Sequence, residues 1–151
     1  MFPREKEVEV LKFLEEHKAF SLCSVVDQKP ACAPLYYVHD SSFYLYFLSE
    51  LKTEHTQNIT LNKWIAGTIY SEGHTIAEIH GLQFKGICKI MPDSNQQEMK
   101  KVYLNKFPEI LDQDLMYKRF ETTPLFEVKI NWLRWITMDS GKPVRIEGKI
   151  N

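Results

Sequence analysis

Phe126-Glu127-Val128-Lys129-Ile130-Asn131-Trp132-Leu133-Arg134-Trp135-Ile136 is the stretch that decides the fold class. Phe126, Val128, Ile130, Trp132 and Ile136 alternate with Glu127, Lys129 and Asn131. That period of two puts one face of a strand on a core and the other in water. Arg134 falls on the apolar face, and Leu133 and Trp135 on the other. Working outward, five further strands are expected, over Ala19–Val26, Ala31–Val38, Phe43–Leu48, Lys63–Tyr70 and Ile76–Met91. Turn residues separate them at Asp27-Gln28-Lys29-Pro30, His39-Asp40-Ser41-Ser42 and Ser71-Glu72-Gly73-His74. Pro34 has no N–H for a ladder, so it marks an edge or a bulge in its strand. Gly81 and Gly86 mark a bulge or a close approach in theirs.

Helices fill the rest. Arg4–His17 is amphipathic, with Val10, Phe13, Leu14 and His17 at i, i+3, i+4 and i+7 and Leu11 widening the stripe. A short helix follows the third strand, capped by Ser49 or Thr53. Another opens at Asp93-Ser94 with Met99, Val102 and Tyr103 as its buried face, is interrupted at Phe107-Pro108, and resumes to Phe120. The pattern is mainly β with helices, an α+β chain whose six antiparallel strands form a small barrel covered by helices at its ends. One domain over residues 1–151 is expected, with 139–151 as a loose polar tail.

The 151 residues carry 19 Lys and Arg against 20 Asp and Glu, a net charge of −1, so no bulk attraction draws the chain to nucleic acid or anionic lipid. The longest unbroken apolar run is Phe43–Leu48, far short of the ~20 residues of a membrane helix. The charged start, Met1 to Glu7, precedes no apolar stretch of the secretory kind. Cys23, Cys32 and Cys88 show no Cys-x-x-Cys spacing, and sparse, odd cysteines suit a reducing compartment. The expectation is a cytoplasmic protein with neither nucleic acid nor membrane as partner. No metal site is expected: the histidines show no His-x-x-x-His pair, and His74 and His80 share a face only if pairing stays regular.

Two segments carry chemistry. In Phe47-Leu48-Ser49-Glu50-Leu51-Lys52-Thr53-Glu54-His55-Thr56-Gln57-Asn58 a strand runs into a helix start bearing a cation, hydroxyls and a histidine. Free N–H groups at a helix N-terminus with such donors make a phosphate cradle, although Ser and Thr also cap helices with no ligand present. In Gly81-Leu82-Gln83-Phe84-Lys85-Gly86 the glycines permit close approach and Gln83 offers an amide that both donates and accepts. The alternative there is a barrel-corner bulge.

Taken together, the order helix, three strands, Ser-x-x-Lys-Thr-x-His-x-x-Asn, strand, then Ile79 to Gly86 resembles the pyridoxamine 5′-phosphate oxidase-like, flavin-binding split-barrel superfamily. Glu50-x-Lys52-Thr53-x-His55, Ala66-Gly67-Thr68 and the Gly-Leu-Gln-Phe-Lys-Gly strand are similar, more narrowly, to its small bacterial proteins of the YhbP type. The resemblance implies a homodimer of split barrels with flavin mononucleotide (FMN) in two clefts at the interface. Lys52, Thr53 and His55 would meet the phosphate. Leu35, Phe47 and Leu48 would lie along the ring, Gln83 at its polar edge, and Trp132 or Trp135 would arrive from the partner subunit.

The same resemblance implies an FMN-dependent oxidoreductase or flavin reductase acting on a small molecule. Its alternative is a non-catalytic cofactor-binding or sensing dimer, since relatives hold a deazaflavin or haem in the same cleft. No catalytic residue is assigned. Thr53-Glu54-His55 stands where the flavin-binding oxidases carry Ser-Arg-Lys. The Arg-x-His of true pyridoxamine phosphate oxidases is replaced by Arg145-Ile146-Glu147.

Overall fold

A computed structural model describes residues 1–71 and 75–150. The expected turn at 71–74 and His74 therefore fall largely outside the described residues. Helix α1 spans Arg4–Glu16, α2 Glu54–Leu61, α3 Asp93–Lys106 and α4 Asp114–Thr122. Eight strands are present among the described residues: β1 Ala19–Val26, β2 Lys29–Tyr36, β3 Val38–His39, β4 Tyr44–Leu48, β5 Trp64–Tyr70, β6 Gly81–Ile90, β7 Leu125–Asp139 and β8 Lys142–Lys149. They form one antiparallel sheet in the order β2-β1-β5-β6-β7-β4-β3, with β8 on β7. The sheet curls until β2 lies beside β4 without a ladder between them. The result is a split barrel.

Two departures concern strand number and extent. The loose tail is instead β8, paired with β7 from Asp139↔Lys142 to Trp132↔Lys149. Its two-residue turn is Ser140-Gly141, both at positive φ (50° and 78°), the geometry that matches the twist of a tight hairpin. The strand expected from Ile76 begins only at Gly81, because Ile76–Glu78 forms a 3-10 turn with Thr75 and Glu78 capping each other.

β7 is the spine of the molecule. β6 follows one of its edges throughout, while the other is shared by β4, up to Lys129, and β8, from Trp132. Where the partner changes, β7 carries an extra residue: Lys85 pairs with Trp132 and Gly86 with Ile130, leaving Asn131 unopposed. This bulge reverses the inward parity. Phe126, Val128 and Ile130 point into the core before it, and Leu133 and Trp135 after it. Strict alternation therefore assigns Trp132 and Trp135 to the wrong faces. Gly86 sits against the bulge, where an added Cβ would come within 2.4 Å of the Lys129 carbonyl oxygen.

Two cores result. The barrel interior is filled by residues such as Phe20, Leu22, Phe47, Phe84, Leu133 and Trp135, and α1 closes over it with Val10, Phe13 and Leu14. A second core, with Tyr46, Tyr103, Phe107, Phe120 and Leu125, lies between β4 and α3–α4. Because β4 is covered on both sides, it reads as an unbroken apolar run rather than an alternation.

The buried face of α3 is not the expected one. Tyr103 is buried, but Val102 is exposed and Lys100 is buried in its stead. Lys100 Nζ donates to the carbonyls of Phe120 (3.0 Å) and Glu121 (2.7 Å), and Lys106 Nζ to that of Leu14 (3.1 Å). Two lysines of one helix thus satisfy carbonyls in the last turns of α4 and α1, where a cation is favoured.

Candidate functional site

The loop from β4 to α2 builds the polar half of the site. Thr53 is the N-cap of α2, with φ −71° and ψ 150°, but its side chain does not cap the first turn. Its Oγ1 instead donates to the Glu50 carbonyl at 3.0 Å. The first-turn N–H groups therefore lack a side-chain cap and face outward from a partial positive charge. Ser49 Oγ lies 2.6 Å from His55 Nε2 and 3.1 Å from Thr53 Oγ1. Burial holds the imidazole below its ordinary pKa, so at neutral pH the ring is uncharged and shares one hydrogen bond with the Ser49 hydroxyl through Nε2. Thr56, also buried, lies 3.0 Å from three carbonyls of the same loop.

Charge at this corner is balanced rather than basic. Lys52 stands mostly in solvent, its Nζ 3.1 Å from a Glu50 oxygen. The other Glu50 oxygen accepts from Arg119 Nη2 of α4 at 2.7 Å. Those two hydrogen bonds, Arg119 first, hold the Glu50 carboxyl below the usual range. Arg119 is 69 residues away in sequence, so no local motif could reveal it. It brings a guanidinium to the corner where the resemblance implies an arginine and this chain has Glu54.

Beside this corner is a pocket of about 630 Å³. Tyr36 and Leu48 form its sheet wall, Phe107 and Met116 its helical wall, and Arg119 its polar rim. Of the three residues expected along the ring, Leu48 lines this pocket. Leu35 packs against the barrel core and Phe47 lies wholly within it, stacked on Phe126 at 5.4 Å, and Tyr36, the neighbour of Leu35, lines the pocket in its place.

The remaining expected residues lie elsewhere. Gln83 is on the outer face of the sheet, where its Oε1 accepts from Arg134 Nη1 at 3.3 Å, and Arg134 also donates to Glu147. Trp132 shares that face, under the cations of Lys85 (5.0 Å) and Arg134 (5.2 Å). Trp135 is buried, edge-on to Phe13, and donates from Nε1 to Glu9 Oε1 at 3.1 Å, where it lines a separate cleft with His17 and His80. Along β7 the partner of Gln83, Arg134, is nine residues from Leu125, the partner of Leu48. That is about 30 Å of extended strand. Toward the other wall, Gln83 lies in a cross-strand row with Thr68, Ser21 and Pro34, three strands from the β2 edge that carries Tyr36.

Comparison with known proteins agrees with this architecture. The family profile described as pyridoxamine 5′-phosphate oxidase matches residues 7–136. The chain belongs to that family. A UPF0306 protein of Yersinia pseudotuberculosis is 29% identical over 98 residues, 64% of this chain and 67% of its own. Among solved structures, an FAD-binding protein of Mesorhizobium loti superposes with a TM-score of 0.66 at 16% identity, over 93% of each chain. HutZ, a haem storage protein of Vibrio cholerae, does so with a TM-score of 0.66 at 18% identity, over 82% of this chain and 89% of its own. These two likenesses speak for the fold alone. Among the described residues no helix is long and apolar enough to cross a membrane, and no three His, Cys, Asp or Glu side chains gather as a metal site.

Two histidines make the fold sensitive to acid. His39 is half-buried, with a shielded Nδ1 that makes no hydrogen bond and lies 3.8 Å from a Glu15 oxygen. Burial and nearby Lys106 depress its pKa more than Glu15 and Asp40 raise it, and burial depresses that of His55. In both, the folded state binds a proton less readily than the unfolded chain, whose histidines titrate near 6.5. Stability is therefore expected to fall as pH drops below about 6.5, until the folded-state pKa values are passed. Urea midpoints measured between about pH 7.5 and pH 5.5 check this, and the slope should flatten in His39→Gln with His55→Gln.

Proposed function

We propose that this chain binds FMN in the pocket between the β2–β4 wall and α3–α4, with the phosphate at the Ser49–His55 loop, and works as an FMN-dependent oxidoreductase on a small molecule. The observation that carries the reading is the coincidence of three features. An apolar, aromatic-walled pocket of flavin size lies on the strands where the family resemblance expects the ring. An uncapped helix start lies on the adjoining loop. Arg119 stands between them, its guanidinium on Glu50.

The residues fit the cofactor, with Arg119 and Lys52 as cations, Ser49 and Thr53 as hydroxyls and the α2 N–H groups as neutral donors for a phosphate. When bound, the flavin would supply the electron transfer, while the chain binds, orients and keeps water out. The altered tail at Arg145 speaks against pyridoxamine phosphate oxidase activity itself.

The proposed unit is a homodimer. Gln83 and Trp132 lie three or more strands from the β2 wall of their own pocket, and in the proposed dimer they would meet a flavin edge held by the second copy. The balanced charge at Glu50 and Glu54 favours a second reading, a non-catalytic cofactor-binding or sensing dimer, in which deazaflavin or haem takes the cleft.

The deciding experiment is the visible spectrum of the purified protein, followed by titration with FMN, a deazaflavin and haem during sedimentation. Flavin absorbance on a dimer, with oxidation of a reduced nicotinamide, is the expected result. A haem or deazaflavin spectrum selects the second reading. A monomer that binds none of the three overturns both.

A further inference from the structure

The outer face of β1 and β2 carries two thiols that the proposed cofactor pocket does not use. Cys23 and Cys32 are directly opposite in the ladder, their Sγ atoms 2.7 Å apart. The hairpin loop is Asp27-Gln28, both residues at positive φ (50° and 62°). A two-residue loop of this kind makes Val26 and Lys29 a hydrogen-bonded pair. Pairs alternate from there, so Val25–Pro30, Cys23–Cys32 and Ser21–Pro34 are non-hydrogen-bonded. The prolines agree with this count, since at such positions the missing N–H would point away from β1 over the open edge of the sheet. Non-hydrogen-bonded pairs bring side chains closest, with Cα atoms ~4.5 Å apart, within the range a disulfide spans.

We propose that Cys23 and Cys32 form a redox-active dithiol that closes to an intrachain disulfide on reaction with a small organic disulfide. Cys32 is the entry point, being exposed, whereas Cys23 is half-buried. Burial, and then the neighbouring Cys32 sulfur, push the Cys23 thiol up to about 11, so it waits protonated. The Cys32 thiolate attacks the disulfide, forming a mixed disulfide and releasing one thiolate, which takes up the Cys32 proton. Cys23 Sγ then attacks Cys32 Sγ, and the second thiolate leaves with the Cys23 proton. Two protein thiols are oxidised and one small disulfide is reduced to two thiols.

Cys88 takes no part. It is buried in the barrel, and burial, with Glu127 nearby, pushes its thiol up to about 12. The pair spans β1 and the edge strand β2, three and four strands from β7, and no step of the exchange uses the cofactor, so the proposal does not rest on that reading.

The test is native full-length protein incubated with oxidised glutathione, quenched by alkylation and digested with trypsin. Lys29 precedes Pro30, which blocks cleavage, so Ala19–Lys52 retains both cysteines. That peptide is expected to be lighter by two hydrogens and to escape alkylation, reversibly with dithiothreitol. Cys88 should become alkylatable only on denaturation. In Cys23→Ser a glutathione adduct should remain trapped on Cys32, and Cys32→Ser should react about tenfold more slowly than wild type. A persistent glutathione adduct on Cys32 of the wild-type chain, a covalent link between two chains, or closure only in denaturant would overturn the proposal.

Discussion

Gly86→Ala is expected to destabilise the protein by about 3 kcal/mol, the upper end of what overpacking costs. The new methyl group would lie 2.4 Å from the Lys129 carbonyl oxygen and 3.1 Å from its carbon. Both are backbone atoms, so no side-chain rotation relieves the clash and β7 itself must move. β7 is laddered to β6 on one side and to β4 and β8 on the other, so movement at Lys129 disturbs three strand pairs at once. It also loosens the bulge that turns Trp135 inward. The fluorescence of the variant should shift to the red as that indole meets water. Gly81→Ala is the control, on the same strand and in the same motif. An added Cβ there meets nothing closer than 3.7 Å, and it should cost less than about 1 kcal/mol. Urea denaturation of both variants is the measurement. Equal losses would mean that Gly86 is no more than a weak strand residue and that the bulge does not depend on it.

The bulge also shows what the sequence could tell and where it stopped. Helix α1 and strands β1, β2 and β5 are legible because each turns one face inward with a period the residues announce, and β4 is legible as an unbroken apolar run. β7 is legible as a strand but not in its facing, since one unopposed residue, Asn131, moves every later side chain to the other face. Trp132 and Trp135 exchange roles for that reason alone. β8 escapes notice because most of its side chains are solvated, and only the Ser140-Gly141 turn hints at a hairpin. Lys100 reads as solvent-facing because its partners, the carbonyls at the end of α4, lie twenty residues further along the chain.

The candidate site divides in the same way. The Ser49–His55 loop is a local feature, and its helix start can be read from spacing. Leu35, Phe47 and Leu48 were expected to line the site, and Leu48 does; Phe47 does not, because β4 has a core on each face and no polar residue to mark which side is which. Arg119 belongs to tertiary structure alone. Its pairing with Glu50 exists only once α4 has packed against the second core.

Arg119 also carries the sharpest expectation about the cofactor. If the phosphate of FMN binds at the Ser49–His55 loop, Arg119→Ala should weaken FMN about tenfold and leave riboflavin, which lacks the phosphate, nearly unaffected. Tenfold corresponds to about 1.4 kcal/mol, modest for a charge-assisted hydrogen bond because the guanidinium is largely solvated and screened. Glu50→Gln should act in the opposite direction. In the free protein the Glu50 carboxylate engages both cations of the corner, through Arg119 at 2.7 Å and Lys52 at 3.1 Å. An arriving phosphate competes with that carboxylate. A neutral amide of the same shape removes the competitor, so Glu50→Gln is expected to bind FMN several-fold more tightly, again with riboflavin unchanged. The two substitutions should not be additive, since the carboxylate inhibits largely by occupying the guanidinium. In the double variant the gain from Glu50→Gln should shrink to what Lys52 alone can supply. Calorimetric titration of the four proteins with both ligands measures each term. Parallel changes for FMN and riboflavin would place the phosphate away from this corner. A tighter complex in Arg119→Ala would mean that the guanidinium blocks the pocket mouth rather than anchoring a ligand there.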